Sequence, residues 1–208
     1  MKKKAAVLMD LGFVDYALYK PLGNRKPNAQ DVHAFANACI ADSEELFRIY
    51  CYHCPPYAGT AIHPLTRKPV DFSQTEIYQR MSLMIEQLEL MNNVAFRQGE
   101  LSFNGWIVPK KAAEDLAQTG RKLEERDLRP DIKQKRVDMK IGLDVAWLAS
   151  KSIVDRLILV SADSDFVPAI KFARREGVQV VVVTLNRHCK RDLMIHADEV
   201  RIVAFPSA

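Results

Sequence analysis

No apolar run in these 208 residues approaches the roughly 18–20 needed to cross a bilayer. The start, Met1-Lys2-Lys3-Lys4, is basic, but the run after it, Ala5 to Met9, stops at Asp10. That is too short for a signal-peptide core. The chain is therefore expected to be cytoplasmic, with no membrane partner. Cysteine is sparse: Cys39, Cys51, Cys54 and Cys189. A reducing compartment keeps such residues as thiols. Cys51-Tyr52-His53-Cys54 has CxxC spacing, but there is no second CxxC, and His63 is the sole extra ligand nearby. Buried filler at a strand end is favoured there over zinc or redox chemistry. No Gly-x-Gly-x-x-Gly follows any strand, which argues against dinucleotide binding. Internal repeats and low-complexity segments are absent. Net charge is only +4, a mild basicity that suits a nucleic-acid partner without requiring one.

What is present centres on residues 157–168. Leu157 to Val160 is apolar without alternation, the pattern of a buried parallel strand. Ser161 to Ser164 form a turn, Ser164 or Asp165 can cap the next helix, and Pro168 is tolerated in its first turn. The spacing predicts a helix from Phe166 to Glu176 that stops at Gly177, then a second buried strand from Gln179 to Thr184. In open α/β sheets, ligands sit beyond the carboxyl ends of the strands. Asp163 and Asp165 fall there. Paired carboxylates repel unless a cation lies between them or one takes a proton. Mg²⁺ or Mn²⁺ resolves that conflict. The plainer reading makes Asp165 a cap and Asp163 a turn residue.

The rest of the chain supplies companions. Ala5 to Met9 reads as a first buried strand, so Asp10 also stands at a strand's carboxyl end. A helix is expected over Phe13 to Lys20, and another capped by Asp31. Leu46 to Tyr52 is the next strand. Ser73, with Glu76 three residues on, reads as a capping box ahead of the stripe Ile77, Met81, Met84, Ile85, Leu88 and Met91. That stripe is read as core, with a homodimer surface as the other use of the Met- and aromatic-rich middle. Val94 to Phe96 reads as a strand, and Leu101 to Val108 as a hairpin with Asn104-Gly105 at its turn. Residues 110–130 are rich in charge of both signs. They suit a solvated helix or loop, or a flap over a substrate backbone. Val137, Ile141, Val145 and Leu148 mark a helix with Asp138 in its first turn. Asp144 is about 120° away around the axis. It can border the same cleft or bond to a neighbouring strand.

Asp10 after the first strand, Lys135-x-Val-Asp138 opening a helix, and Val-Ser-Ala-Asp163-Ser-Asp165-Phe together resemble the NYN domain. They are most similar to its LabA-like branch, a bacterial family. Lys190-Arg191-Asp192-Leu193 through Ala197-Asp198 resembles that branch's last helix. The likeness covers nearly the whole chain, read as a single domain over 1–208, and is weakest over 55–130. It implies a PIN-like, Rossmann-like α/β fold, with a mostly parallel central sheet and helices on both faces. It also implies an acidic cluster that binds Mg²⁺ or Mn²⁺ and hydrolyses RNA, leaving a 5′-phosphate. Carried over by motif, the cluster is Asp10, Asp138, Asp163 and Asp165, with Asp144 as a weaker ligand. The family commonly has Asp-Gly-x-Asn at the first strand, whereas this chain has Asp10-Leu11-Gly12-Phe13. Lys135, Arg136, Arg187 and Lys190 are candidates to hold the RNA backbone. Ser161 and Ser164 are candidates to position the phosphate or the ligands. His188 is read as a surface residue.

Two other classes stay open. One is an RNA-binding or regulatory module with an incomplete metal site, which Phe13 favours. The other is a Mg²⁺ phosphotransfer enzyme. Its Asp-x-Asp normally follows the first strand, whereas here that pair follows a late one.

Overall fold

The computed structural model describes residues 1–185 and 190–205. Asn186, Arg187, His188 and Cys189 lie outside the described residues, so the readings of Arg187 and His188 do too. The chain divides into two compact units. The first comprises residues 1–53, 84–99 and 136 onward; the second comprises Cys54–Leu83 and Glu100–Lys135.

The first unit is built on six parallel strands. β1 (Lys3–Asp10) sits near the middle, flanked by β2 (Glu44–His53) and β8 (Arg156–Val160). Beyond β2 lies β5 (Val94–Gln98); beyond β8 lie β9 (Gln179–Val183) and β10 (Glu199–Arg201). Every pairing is parallel, with Met9 opposite both Cys51 and Val160. Helices cover both faces, which is why these strands are apolar runs rather than alternations. Ala5 to Met9 have no exposed surface, and Ile158, Val160, Val182 and Val183 match them. Truncating one of these, such as Leu8→Ala, would cost ~2–5 kcal/mol.

The helices start where carboxylates or amides can cap them. α1 (Leu11–Ala17) follows β1 at once, because Asp10 accepts from the Gly12 and Phe13 N–H groups. It therefore begins earlier than the Phe13 start expected from spacing. α2 (Ala29–Ala38) is capped by Asn28, and Asp31 is the reciprocal member of that capping box rather than the cap. α5 (Val137–Ser150) buries Val137, Ile141, Val145 and Leu148, the expected stripe. After β8, Asp163 caps a 3-10 turn (Ser164–Phe166) that leads into α6 (Val167–Arg175), so neither Ser164 nor Asp165 is the cap. Pro168 occupies the first turn of α6, and Gly177 (φ +84°) ends the segment. α7 (Arg191–His196) precedes β10.

The second unit holds two antiparallel ribbons, β3 (Thr60–Ile62) with β4 (Pro69–Asp71), and β6 (Glu100–Ile107) with β7 (Arg129–Lys135). Asn104-Gly105 is not a hairpin turn. It forms an irregularity inside β6 between Phe103 and Trp106, with Gly105 at φ +104°. Tyr57, Phe72, Phe103 and Trp106 stack or meet edge-on, and His63 packs 4.6 Å from Trp106. α4 (Lys110–Thr119) ends at Gly120 in the left-handed conformation. Arg121 then bridges Asp115 and Asp127, so part of the charge-rich stretch is internally paired. α3 (Glu76–Glu89) contains the unit boundary. Ahead of it, Asp71 rather than Ser73 caps the 3-10 turn Phe72–Gln74, and Thr75 accepts from Tyr78 N–H.

Among the described residues no helix is long and apolar enough to cross a membrane. Cys39, Cys51 and Cys54 are buried. Burial pushes the Cys51 thiol up to about 12, which keeps it neutral and unreactive.

Candidate active site

Chain order in the sheet decides where a site can form. From β1 the strands run outward through β2 to β5; the chain then returns to β8, on the other side of β1, and continues to β9 and β10. The switch point lies between β1 and β8, where the connecting loops diverge and open a crevice. Asp10 ends β1 and Asp163 follows β8. Residues about 150 apart in sequence are neighbours for this reason alone.

A cavity of about 340 Å³ opens there, lined by Asp10, Phe13, Ser161, Ala162, Asp163 and Lys190. Asp10 is part-buried. Burial is the largest influence on its carboxyl and raises its pKa; the Phe13 and Gly12 N–H bonds oppose this, while the charges of Asp138 and Asp163 raise it further. Asp138, in the first turn of α5, also sits above the ordinary carboxylate range, through burial first and then the charges of Asp163 and Asp165. Asp10 thus feels Asp138 and Asp163, and Asp138 feels Asp163 and Asp165, from separate elements of the chain.

The remaining candidates divide. Lys190 lines the cavity, and its Nζ donates to Ser164 Oγ at 3.1 Å. Ser161 is buried, and its Oγ accepts from Asp163 N–H at 3.2 Å, so it shapes the turn that presents Asp163. Arg136 precedes α5 with φ +71°, and Lys135 is the exposed last residue of β7, in the second unit. Asp144 is not brought to the cluster's other members. Its Oδ2 accepts from Tyr52 Oη at 2.8 Å and from Arg97 Nε at 3.0 Å. Tyr52 and Arg97 face each other across β2 and β5, so Asp144 ties α5 to those two strands. Tyr52 and Arg97 carry no local signal in the sequence, because Asp144 lies 92 and 47 residues away from them.

A family model, the NYN domain, matches residues 70–203. The chain belongs to the NYN domain family. The match takes in Asp138, Asp163, Asp165 and Lys190, while Asp10 lies before it. NYN domains fall within the PIN-like nuclease superfamily. A crystal structure of a protein of unknown function from Vibrio parahaemolyticus RIMD 2210633 is similar, with a TM-score of 0.50 and 17% identity. The similarity covers 95% of this chain and 91% of that one; at this identity the likeness bears on the fold alone. A search of the curated proteins finds no match.

NYN and PIN-like nucleases typically use divalent metals. Among the described residues, no three His, Cys, Asp or Glu side chains form a ready-made cage for an ion. The donors here nevertheless fit Mg²⁺ or Mn²⁺ in kind. They are hard carboxylate oxygens, and two of the carboxylates, Asp10 and Asp163, line an open cavity together with Lys190. Such ions commonly use one or two carboxylates and complete their shell with water and substrate phosphate.

Proposed function

We propose that this NYN domain, of the LabA-like branch, is a ribonuclease that hydrolyses RNA phosphodiester bonds with Mg²⁺ or Mn²⁺. We take residues 1–208 as one domain, with its second unit as an insert. What supports the reading is that Asp10 and Asp163 line one cavity at the switch point, with burial, and then the charges of Asp138 on Asp10 and of Asp163 and Asp165 on Asp138, helping to hold those two carboxyls above the ordinary range. These four residues would hold the metal, which supplies an activated water and positive charge beside the scissile phosphate. Lys190 would hold a non-bridging phosphate oxygen. Ser161 keeps the Asp163 turn in shape, and Ser164 keeps Lys190 at the cavity. Asp144 would act as a positioning residue for α5, and so for Asp138. Arg136 and Lys135 would add attraction for the RNA backbone.

The test is cleavage of labelled single-stranded and structured RNA with Mn²⁺, Mg²⁺ or EDTA, comparing wild type with Asp163→Asn. Metal-dependent cutting that the variant loses supports the reading. Folded wild type that binds RNA but cuts none with either metal removes it. Phe13 at the first turn, in place of a polar residue, favours that second outcome, in which the domain is an RNA-binding module.

A further inference from the structure

The candidate site contains an aromatic ring that metal chemistry does not need. Phe13 is half-buried and lines the same cavity as Asp10, Asp163 and Lys190. Its N–H is committed to Asp10 Oδ1, and this bond in the first turn of α1 holds its backbone in place. An aromatic residue and Ala162 therefore share this lining with two carboxylates, Ser161 and the Lys190 ammonium. At about 340 Å³ the cavity is near the lower end of small-ligand pockets, which run from ~300 Å³ upward. A base-paired duplex cannot place a base in such a space without opening, whereas an unpaired nucleotide can. Base–aromatic stacking is tolerant of sequence, because every base has a π-face.

We infer that Phe13 is a stacking seat for one unpaired RNA base beside the scissile phosphate, with Lys190 on that phosphate, so that the site selects single-stranded RNA. The inference rests on the RNA reading above. It predicts a specificity device with little preference among the four bases.

The experiment uses the full chain in EDTA, so that nothing is cut. Fluorescent single-stranded RNAs, each abasic at one successive position, are titrated by anisotropy against wild type, Phe13→Leu and Phe13→Trp. In wild type, one abasic position is expected to weaken binding by about 5- to 100-fold. Phe13→Leu should weaken binding of intact RNA by a similar factor and erase the abasic penalty; Phe13→Trp should keep it. Duplex binding should be equal in all three. A penalty that persists unchanged in Phe13→Leu overturns the proposal, as does the absence of any sensitive position. Should Phe13→Leu fail to fold, Phe13→Trp decides: added indole fluorescence quenched by intact RNA but not by the abasic strand supports stacking, and equal quenching refutes it. Cutting assayed separately in Mn²⁺ keeps the two readings apart. A position-dependent penalty without cutting sinks the nuclease and leaves the seat; cutting without a penalty does the reverse.

Discussion

Glu44 opens β2 at the end of the sheet opposite the carboxylate cluster, and its side chain is fully buried. Oε1 accepts from Arg156 at 2.6 Å and from Arg201 at 2.9 Å; Oε2 accepts from Arg201 at 3.0 Å and from Ala41 N–H at 2.8 Å. Burial by itself would raise this carboxyl. Hydrogen bonds from Arg201, Ala41 and Arg156 outweigh it and bring the pKa down from 4.5 to about 2. A depressed carboxyl stabilises the fold at any pH above its unfolded value, and that stability is lost as pH falls through the folded value. The shift corresponds to about 3 kcal/mol at neutral pH. That agrees with the ~3–5 kcal/mol cost of removing one partner from a buried ion pair. Glu44→Gln should therefore lower Tm at pH 7 by about 6–12 °C for a chain of this size. Thermal unfolding followed by circular dichroism at pH 7, 5, 3 and 2 measures it. The gap should be complete at pH 7, begin to close below about 4.5, and be nearly gone at pH 2. Equal Tm at pH 7, or a gap undiminished at pH 2, would refute a charge-based role for this network. Any shift in Tm caused by Mn²⁺ should be the same in both proteins at pH 7.

Asp10→Asn should leave the metal-free protein as stable as wild type or up to ~1 kcal/mol more so, since Asn caps equally well and no longer repels its neighbours. It should also abolish the Mn²⁺-induced rise in Tm; an unchanged rise would take Asp10 out of the metal site. Because Asp10 and Asp138 are held above the ordinary carboxylate range, their ionisation opposes folding, and this penalty disappears as pH falls below their folded values. Mn²⁺ affinity followed by calorimetry should therefore begin to fall at a pH above the ordinary aspartate value of 3.8, because protons compete for the same oxygens. Asp144→Asn should cost ~1.5–3 kcal/mol through the loss of charge-assisted bonds to Arg97 and Tyr52, seen as a lower urea midpoint. Arg121→Ala should free the segment after α4, and faster limited proteolysis between residues 120 and 127 would report it.

Much of the sheet was readable in the linear pattern. Ala5 to Met9, Leu157 to Val160 and Val180 to Val183 are apolar on both faces, and only strands covered on both sides need that. The helix carrying Asp138 showed itself by the spacing of Val137, Ile141, Val145 and Leu148. Helix starts were less legible. Asn28 and Asp31, Asp71 and Ser73, and Asp163 and Ser164 are all competent caps only a few residues apart, and backbone geometry chooses between them. Asn104-Gly105 has the composition of a tight turn, but β7 supplies a partner that carries β6 straight through it.

For the candidate site the division is similar. The residue types and their places at strand and helix ends belong to the sequence, because local propensity and periodicity are local properties. Their assembly belongs to the tertiary structure. Strand order put β8 beside β1 and so brought Asp163 to Asp10. The same order turned Asp144 towards Tyr52 and Arg97, distinguishing it from the other carboxylates. Such pairings span about 50–150 residues, and no window of sequence contains them; only the packing of α5 against the sheet and the switch between β1 and β8 decides which carboxylates meet.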